Sequence, residues 1–475
     1  MPQEYYAVLD IGKTLAKISL WTKEGDCRLV ETRMNQILTN GEYQMLDVLG
    51  IDEWLAASLK KFAQFGPIEA IYPIAHGAAV AILNDGKLAF EPIDYEWRFS
   101  GEVEAEYAVL RGSFDETGSP HMENGLNMGI QLYYLKSRHP ERFNEKTQIV
   151  PWAQYWAWRL SGIACTEVSS LGAHTDLWSL QSNKYSKMAQ ESGVAQYFAP
   201  MRRAGEAIGV LSEYWRQRTG LDCSPKIYAG IHDSNAALFL TRIAMAEKTQ
   251  EFTIVSTGTW FVSMRATLAQ ISTEELADCS GVLFNVDIDS NKVPTALFMG
   301  GREIEILLND SGSRIDLPEN QEKQLAAVNS VVEIGAFILP TATPGIGPFG
   351  ENNLHKINAP KCENQYGALV AIYAALVTAH GLKTIKSSST IIIEGRFAKS
   401  VVYCRALASL LPNCSVYCCN EEANIALGAL KLMVDELNLS RKMTYVKPLD
   451  LDLIQYQNRF YSHLKDTTLQ KDKQS

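Results

Sequence analysis

Zinc-type cysteine spacing, a disulfide framework, a basic block and a membrane-length apolar run are all missing from this chain of 475 residues. Its nine cysteines are odd in number and sparse: Cys27, Cys165, Cys223, Cys279, Cys362, Cys404, Cys414, Cys418 and Cys419. Cys414, Cys418 and Cys419 cluster, but no nearby histidine or further cysteine completes a zinc site. They read as reduced thiols in core strands. No Lys/Arg block offsets the net charge of −10, so the overall field favours neither nucleic acid nor an anionic membrane, and a local basic pocket stays open. No run reads as long enough to span a membrane. The N-terminus enters a strand directly, without a basic region and long apolar stretch. The expected location is the cytoplasm.

What is present points to a globular chain, with 46% hydrophobic and 21% charged residues. The length exceeds one ordinary core, so two domains of similar size are expected. No low-complexity linker separates them. A boundary near 244–250 gives domains of 1–245 and 246–475.

Residues 5–11 read as a strand, 15–21 as its hairpin partner and 27–35 as a third strand. Residues 52–65 have helical spacing through Trp54, Leu55, Leu59 and Phe62. Residues 68–75 read as a strand ending at His76-Gly77. The region 115–170 reads as mostly helical, with helices at 127–137 and 150–160. The second contains Trp152, Trp156 and Trp158, which read as packing residues. A strand at 226–230 runs into Ile231-His232-Asp233-Ser234, and a helix follows at 235–246.

The pattern then restarts. Strands are expected at 252–255, 260–265, 391–393 and 415–419, and helices at 320–332, 366–383, 401–411 and 423–437. The polar tail after Leu464 reads as frayed.

Two strand-plus-loop motifs carry the chemistry. The first is Tyr6-Ala7-Val8-Leu9-Asp10-Ile11-Gly12-Lys13-Thr14, and the second is Phe252-Thr253-Ile254-Val255-Ser256-Thr257-Gly258-Thr259. Each is an apolar run that breaks at a glycine flanked by hydroxyl residues. A strand stopping at such a turn exposes backbone N–H groups and hydroxyls together, as a phosphate cradle requires. Gly12 and Gly258 allow close approach of phosphate oxygens, and Thr14, Thr257 and Thr259 can donate hydrogen bonds. Lys13 reads equally as a phosphate-pairing charge or a solvated hairpin lysine. Asp10 ends its strand where a carboxylate suits Mg²⁺, or where a turn aspartate bonds its own backbone.

With these loops, the His232-Asp233 pair and the late glycine strand in view, the chain resembles the FGGY carbohydrate kinases over nearly its whole length. Further segments carry the resemblance: Pro140-Glu141-Arg142-Phe143, then Tyr155-Trp156-Ala157-Trp158-Arg159-Leu160-Ser161-Gly162, and Glu421-Glu422-Ala423-Asn424-Ile425-Ala426-Leu427-Gly428-Ala429. Within the family it looks nearest to the rhamnulokinase and fuculokinase group. The resemblance implies an α/β fold of two actin-like (ribonuclease H-like) domains, with a nucleotide and sugar cleft between them. The first domain would mainly bind sugar and the second mainly ATP. Two departures stand out: Lys13, where many members carry a small residue, and Glu394-Gly395-Arg396-Phe397, where many carry a Gly-Gly-Gly-Ser type of sequence.

The resemblance implies a role for each motif. Asp10 would bind Mg²⁺. Gly12, Lys13, Thr14, Thr257, Gly258, Thr259, Gly301, Gly395 and Asn424 would bind ATP. Asp233 would be the general base that takes the proton of the attacking sugar hydroxyl. An aspartate before a helix is otherwise an N-cap. His232, with His76, Gly77 and His174, would face the sugar, and Trp97 and Arg98 would shape its pocket. The expected reaction transfers the γ-phosphate of MgATP to a ketose, either a ketopentose or a 6-deoxyketohexose such as L-fuculose or L-rhamnulose. A polyol kinase, an actin-like ATPase and a catalytically inactive sugar-binding regulator stay open, as does a homodimer.

Overall fold

The computed structural model describes residues 3–246, 248–269, 271–276, 279–309, 314–419, 424–438 and 441–471. The chain divides into two compact units. The first comprises Met1–Ile243, Phe284–Lys292 and Ala423–Leu439, and the second Ala244–Leu283, Val293–Glu422 and Ser440–Ser475. The division is therefore not the linear one drawn at 245/246. Two later segments return to the first unit.

The first unit is built on β1 (Tyr5–Ile11), β2 (Leu15–Thr22), β3 (Cys27–Met34), α1 (Val48–Phe62) and β4 (Ile68–Ala75). α2 (Trp152–Ser161), β5 (Ala207–Val210), β6 (Lys226–Tyr228), β7 (Ile231–His232) and α3 (Asp233–Met245) follow. The sheet order is β5-β6-β4-β1-β2-β3, with β7 also paired to β4. β1–β2 and β2–β3 are antiparallel hairpins, whereas β4 runs parallel to β1 and to β6. β1 and β4 are almost wholly buried, as strands covered on both faces must be.

α1 begins four residues before its expected start, because Asp47 caps it by accepting from Gly50 N at 2.9 Å. Trp152 and Trp156 are buried in the core at 1% and 0% exposure, so packing is their role. The region 115–170 is less helical than expected. A strand, Thr147–Pro151, precedes α2, and the long helix before it is Met128–Arg138.

The second unit repeats the order. Its elements are β8 (Phe252–Thr257), β9 (Phe261–Ala266), β10 (Lys292–Phe298), α4 (Gly300–Leu308), α5 (Glu363–Thr384), β11 (Thr390–Gly395), α6 (Val401–Leu410) and β12 (Ser415–Cys419). Neighbours run β10-β9-β8-β11-β12, two antiparallel joints followed by two parallel ones. The series β3-β2-β1-β4-β6 has the same sense. The duplication inferred from the order of elements is thus a duplication of topology.

Three readings need correction. α5 has 22 residues and is long and apolar enough to cross a membrane by length and composition, although 78% of its apolar window is buried within the fold. The tail beyond Leu464 continues a helix, Leu453–Lys471, whose Leu453, Tyr456, Phe460 and Leu464 are buried. The helix placed at 423–437 is α7 (Asn424–Met433), and it packs in the first unit's core through Ala426, Ala429 and Leu430.

Candidate active site

In the first unit the chemistry collects at the carboxyl ends of β1, β4 and β7, where parallel strands present ligand sites. Register alone puts Asp10 opposite Lys17 on β2 and Ile74 on β4, and His232 opposite Ala75. Lys17 Nζ lies 3.4 Å from Asp10 Oδ2. Burial raises the Asp10 pKa, Lys17 opposes that rise, and Asp233 adds to it. The two aspartates therefore share one electrostatic neighbourhood.

The glycine loop after β1 is closed from both sides. Gly12 N donates to Leu15 O at 3.0 Å, while the Asn35 side chain donates to Gly12 O at 2.8 Å. Thr14 is exposed beyond it. Lys13 turns away from the loop to the buried carboxylate of Asp94, with Glu96 at 3.5 Å. It is neither solvated nor left to the loop.

Asp233 is the first residue of α3 and does not act as an ordinary N-cap. Its Oδ1 accepts from the adjacent Ser234 N at 2.6 Å and Ser234 Oγ at 3.2 Å, not from an amide two or three residues on. His232 Nε2 also lies on Oδ1, at 3.2 Å. Every one of its partners among the described residues is on Oδ1, which leaves Oδ2 open on a side chain that is 28% exposed. Burial pushes the Asp233 carboxyl up to about 6.

His232 is fixed at both ends. Its Nδ1 meets Asn235 Nδ2 at 3.2 Å, and since that amide can only donate, Nε2 carries the proton toward Asp233. Its backbone N donates to Ser169 Oγ at 3.4 Å. His174 Nδ1 lies 2.9 Å from Leu126 O. A Cβ on Gly77 would sit 2.9 Å from Ala173 Cβ and 3.1 Å from His232 Nε2, so only glycine admits this approach. Burial lowers His76 to about 3, and His174 and His232 to about 4. All three imidazoles are neutral near pH 7. His174, whose Nδ1 donates to Leu126 O, keeps Nε2 as an acceptor, and His76, whose Nδ1 accepts from Ala78 N at 3.3 Å, keeps Nε2–H as a donor, while both ring nitrogens of His232 are taken.

The stretch expected to wall this pocket is displaced by two residues. Trp97 packs with Phe99, Tyr134 and Tyr43 at ring distances of 4.5, 5.1 and 6.0 Å, and Arg98 is exposed. It is Tyr95 whose ring meets His76, at 5.5 Å. Lys17, Asn35, Asp94, Tyr95 and Asn235 were all missed. Only Lys17 had a sequence signal: a tight turn over 12–15 sets the hairpin register that faces it to Asp10.

The second unit's loop is built by close backbone approach. Gly258 N donates to Trp260 O at 3.0 Å, and Gly258 and Thr259 are exposed. A Cβ on Gly301 would lie 2.0 Å from Gly258 O. Gly301 N donates to Thr259 O at 3.1 Å, so this residue supports the loop and its amide is already used. Thr257 is likewise committed: its hydroxyl donates to Glu394 O at 2.5 Å and accepts from Phe397 N at 3.0 Å. This overturns its expected part as a hydroxyl offered to phosphate. Of the three expected loop residues, Gly258 and Thr259 stand at the surface.

Gly395 has φ +85° and ψ −163°, a region essentially restricted to glycine, and a Cβ there would lie 2.4 Å from Thr257 O. Gly395→Ala is expected to cost about 1–3 kcal/mol from the backbone alone. A urea midpoint unchanged from wild type would refute this. Arg396 then turns to Asp316 at 2.7 Å and Glu305 at 2.8 Å, on the wall of a cavity of about 640 Å³ lined also by Arg302 and Arg314. Asn424 opens α7, but its side chain lies outside the described residues, as do Glu421, Glu422 and Ala423.

Comparison with known proteins agrees with this organisation. The model of the FGGY carbohydrate kinase N-terminal domain matches residues 114–240, and that of the FGGY C-terminal domain matches 249–442. A carbohydrate kinase from Novosphingobium aromaticivorans is 40% identical and superposes with a TM-score of 0.91, covering 98% of this chain and 100% of that one. A rhamnulokinase from Bacteroides thetaiotaomicron is 26% identical over 289 residues, and an L-fuculokinase from Haemophilus influenzae is 27% identical over 155 residues. The matches span 58% of this chain and 57% of the rhamnulokinase, and 31% and 32% for the L-fuculokinase pair. The duplicated topology, the two glycine loops and these matches identify the chain as a member of the FGGY family of carbohydrate kinases.

Proposed function

We propose that this protein transfers the γ-phosphate of ATP to a hydroxyl of a small sugar, with Asp233 as general base. The observation that carries the reading is the open Oδ2 of Asp233 beside three neutral imidazoles. A sugar hydroxyl loses its proton as it attacks, and a positioned carboxylate with a raised pKa accepts that proton. His232 holds the carboxylate through Oδ1. Nε2–H of His76 and Nε2 of His174 remain as one donor and one acceptor for a neutral polyhydroxylated ligand.

In the first unit the loop at Gly12, and in the second unit the loop at Gly258 and Thr259, each offer a turn suited to phosphate, and Gly395 of the second unit and Asn424 of the first are the residues we assign to the nucleoside. Magnesium fits Asp10, because it binds through one or two carboxylates and keeps several waters. No group of three or more ligating side chains occurs among the described residues, so a dedicated protein cage is not what the site offers. When bound, the ion would neutralise phosphate charge. Lys17, 3.4 Å from Asp10 Oδ2, favours the charged form of that carboxyl against the burial that raises its pKa.

The substrate we favour is a ketose, either a ketopentose or a 6-deoxyketohexose of the fuculose or rhamnulose kind, in a cytoplasmic enzyme. The rhamnulokinase and L-fuculokinase similarities support that choice. The test is ADP release from MgATP across ketoses, aldoses and polyols, with a control lacking sugar. Release that responds to one or two ketoses supports the reading. Release indifferent to every sugar replaces it with an ATPase.

A further inference from the structure

Lys13 stands in the glycine loop between Gly12 and Thr14, where a cation would be expected to meet phosphate. Its ammonium instead pairs across 81 residues of sequence with Asp94. The Asp94 side chain is fully buried. The same ammonium lies 4.7 Å above the Tyr95 ring, and that ring packs edge-on at 5.5 Å against His76. Glu96 adds a second carboxylate at 3.5 Å. Asp94 Oδ1 also accepts from Glu96 N at 3.1 Å, and the Asp94 backbone O accepts from Trp97 N at 2.9 Å, so the side chain and backbone of Asp94 together organise the turn that carries Tyr95.

We propose that Lys13 is a positioning residue for the acceptor pocket and not a ligand of the donor phosphates. The inference rests on the kinase reading for what the pocket holds, but not for the contact itself. An ammonium with two carboxylates and an aromatic face has its charge already compensated, which leaves little for a phosphate. The pair fixes the turn 94–97, and the turn lays Tyr95 against His76. Lys13 thereby shapes the wall of a pocket for a neutral sugar while sitting in the loop assigned to the nucleotide.

The test compares Lys13→Met, Asp94→Asn, the double variant and Lys13→Arg. Calorimetric titration with MgADP should give dissociation constants within about twofold of wild type for Lys13→Met. Its KM for the best sugar of the panel should rise tenfold or more, Asp94→Asn should do the same, and the double variant should be no worse than either single one. Lys13→Arg, which keeps the cation, should restore most of the loss.

A tenfold loss of MgADP affinity in Lys13→Met with an unchanged sugar KM overturns the proposal. Should no sugar support turnover, the kinase reading fails but the contact is still decided. The His76 imidazole resonances, read by NMR in the free protein, must shift alike in Lys13→Met and Asp94→Asn while those of His380 in α5 stay still. Unmoved His76 resonances overturn the proposal, as does an Asp94→Asn spectrum identical to wild type. Rescue by Lys13→Arg, with a double variant no worse than either single one, separates a failed pair from a failed fold.

Discussion

Asp233→Asn is expected to lower turnover by about 100- to 10,000-fold while leaving MgADP affinity close to wild type. The asparagine keeps an oxygen for Ser234 and His232 but has no basic site to take a proton. The free enzyme's kcat/KM should also rise with pH through about 6, because the base must be ionised and burial has lifted its pKa to that value. Stability should move the other way. A carboxyl with a raised folded pKa contributes stability that is full below its unfolded pKa and lost as pH rises through about 6. At pH 8 the Asn variant should therefore unfold no earlier than wild type. Near-normal turnover, or a loss of activity matched by a loss of stability, would remove Asp233 from the role of base.

The second large effect is expected in the other unit and concerns folding. Glu394 and Arg441 are buried, with side-chain exposures of 5% and 1%, and they meet at 2.8 Å. Glu394 Oε1 also accepts from Ser256 Oγ at 2.8 Å, one residue before Thr257. Arg441→Met removes the cation and leaves the carboxylate in the core, at an expected cost of about 3–5 kcal/mol. Glu394→Gln in the same background should recover part of it, since a neutral amide then stands in the core in place of the carboxylate. Denaturant midpoints of the single and double variants decide this. A cost below about 1 kcal/mol for Arg441→Met would mean that the charge finds water or another cation. The expected change in function is indirect, through the seating of the Thr257-Gly258 loop.

The placement of Asp10, Gly12, His76, His232 and Asp233 at or just beyond strand ends was legible because strand periodicity and the positions of strand ends are local properties of the chain. A buried strand followed by a polar turn places the last residue at a sheet edge whatever the rest of the chain does. The 22-residue α5 was read as a helix at nearly its observed limits, although only burial of its apolar window shows it as a core element. The same logic failed at Trp97. Two residues along an irregular turn reverse which ring meets the pocket, and no period exists there to fix the count. Thr257 failed for another reason: its hydroxyl is taken by a carbonyl and an amide 137 and 140 residues away.

By itself, then, the sequence determined two copies of one strand order, the two glycine turns and the aspartate at the head of α3. Each follows from hydrophobic alternation, turn chemistry and spacing over a few residues. Only the tertiary structure decided the partner of Lys13, the commitment of Thr257, the choice of Tyr95 and the return of 423–439 to the first unit. Those outcomes depend on which distant groups come within hydrogen-bonding range. A charge buried with its partner and a charge left in water are written with the same letter.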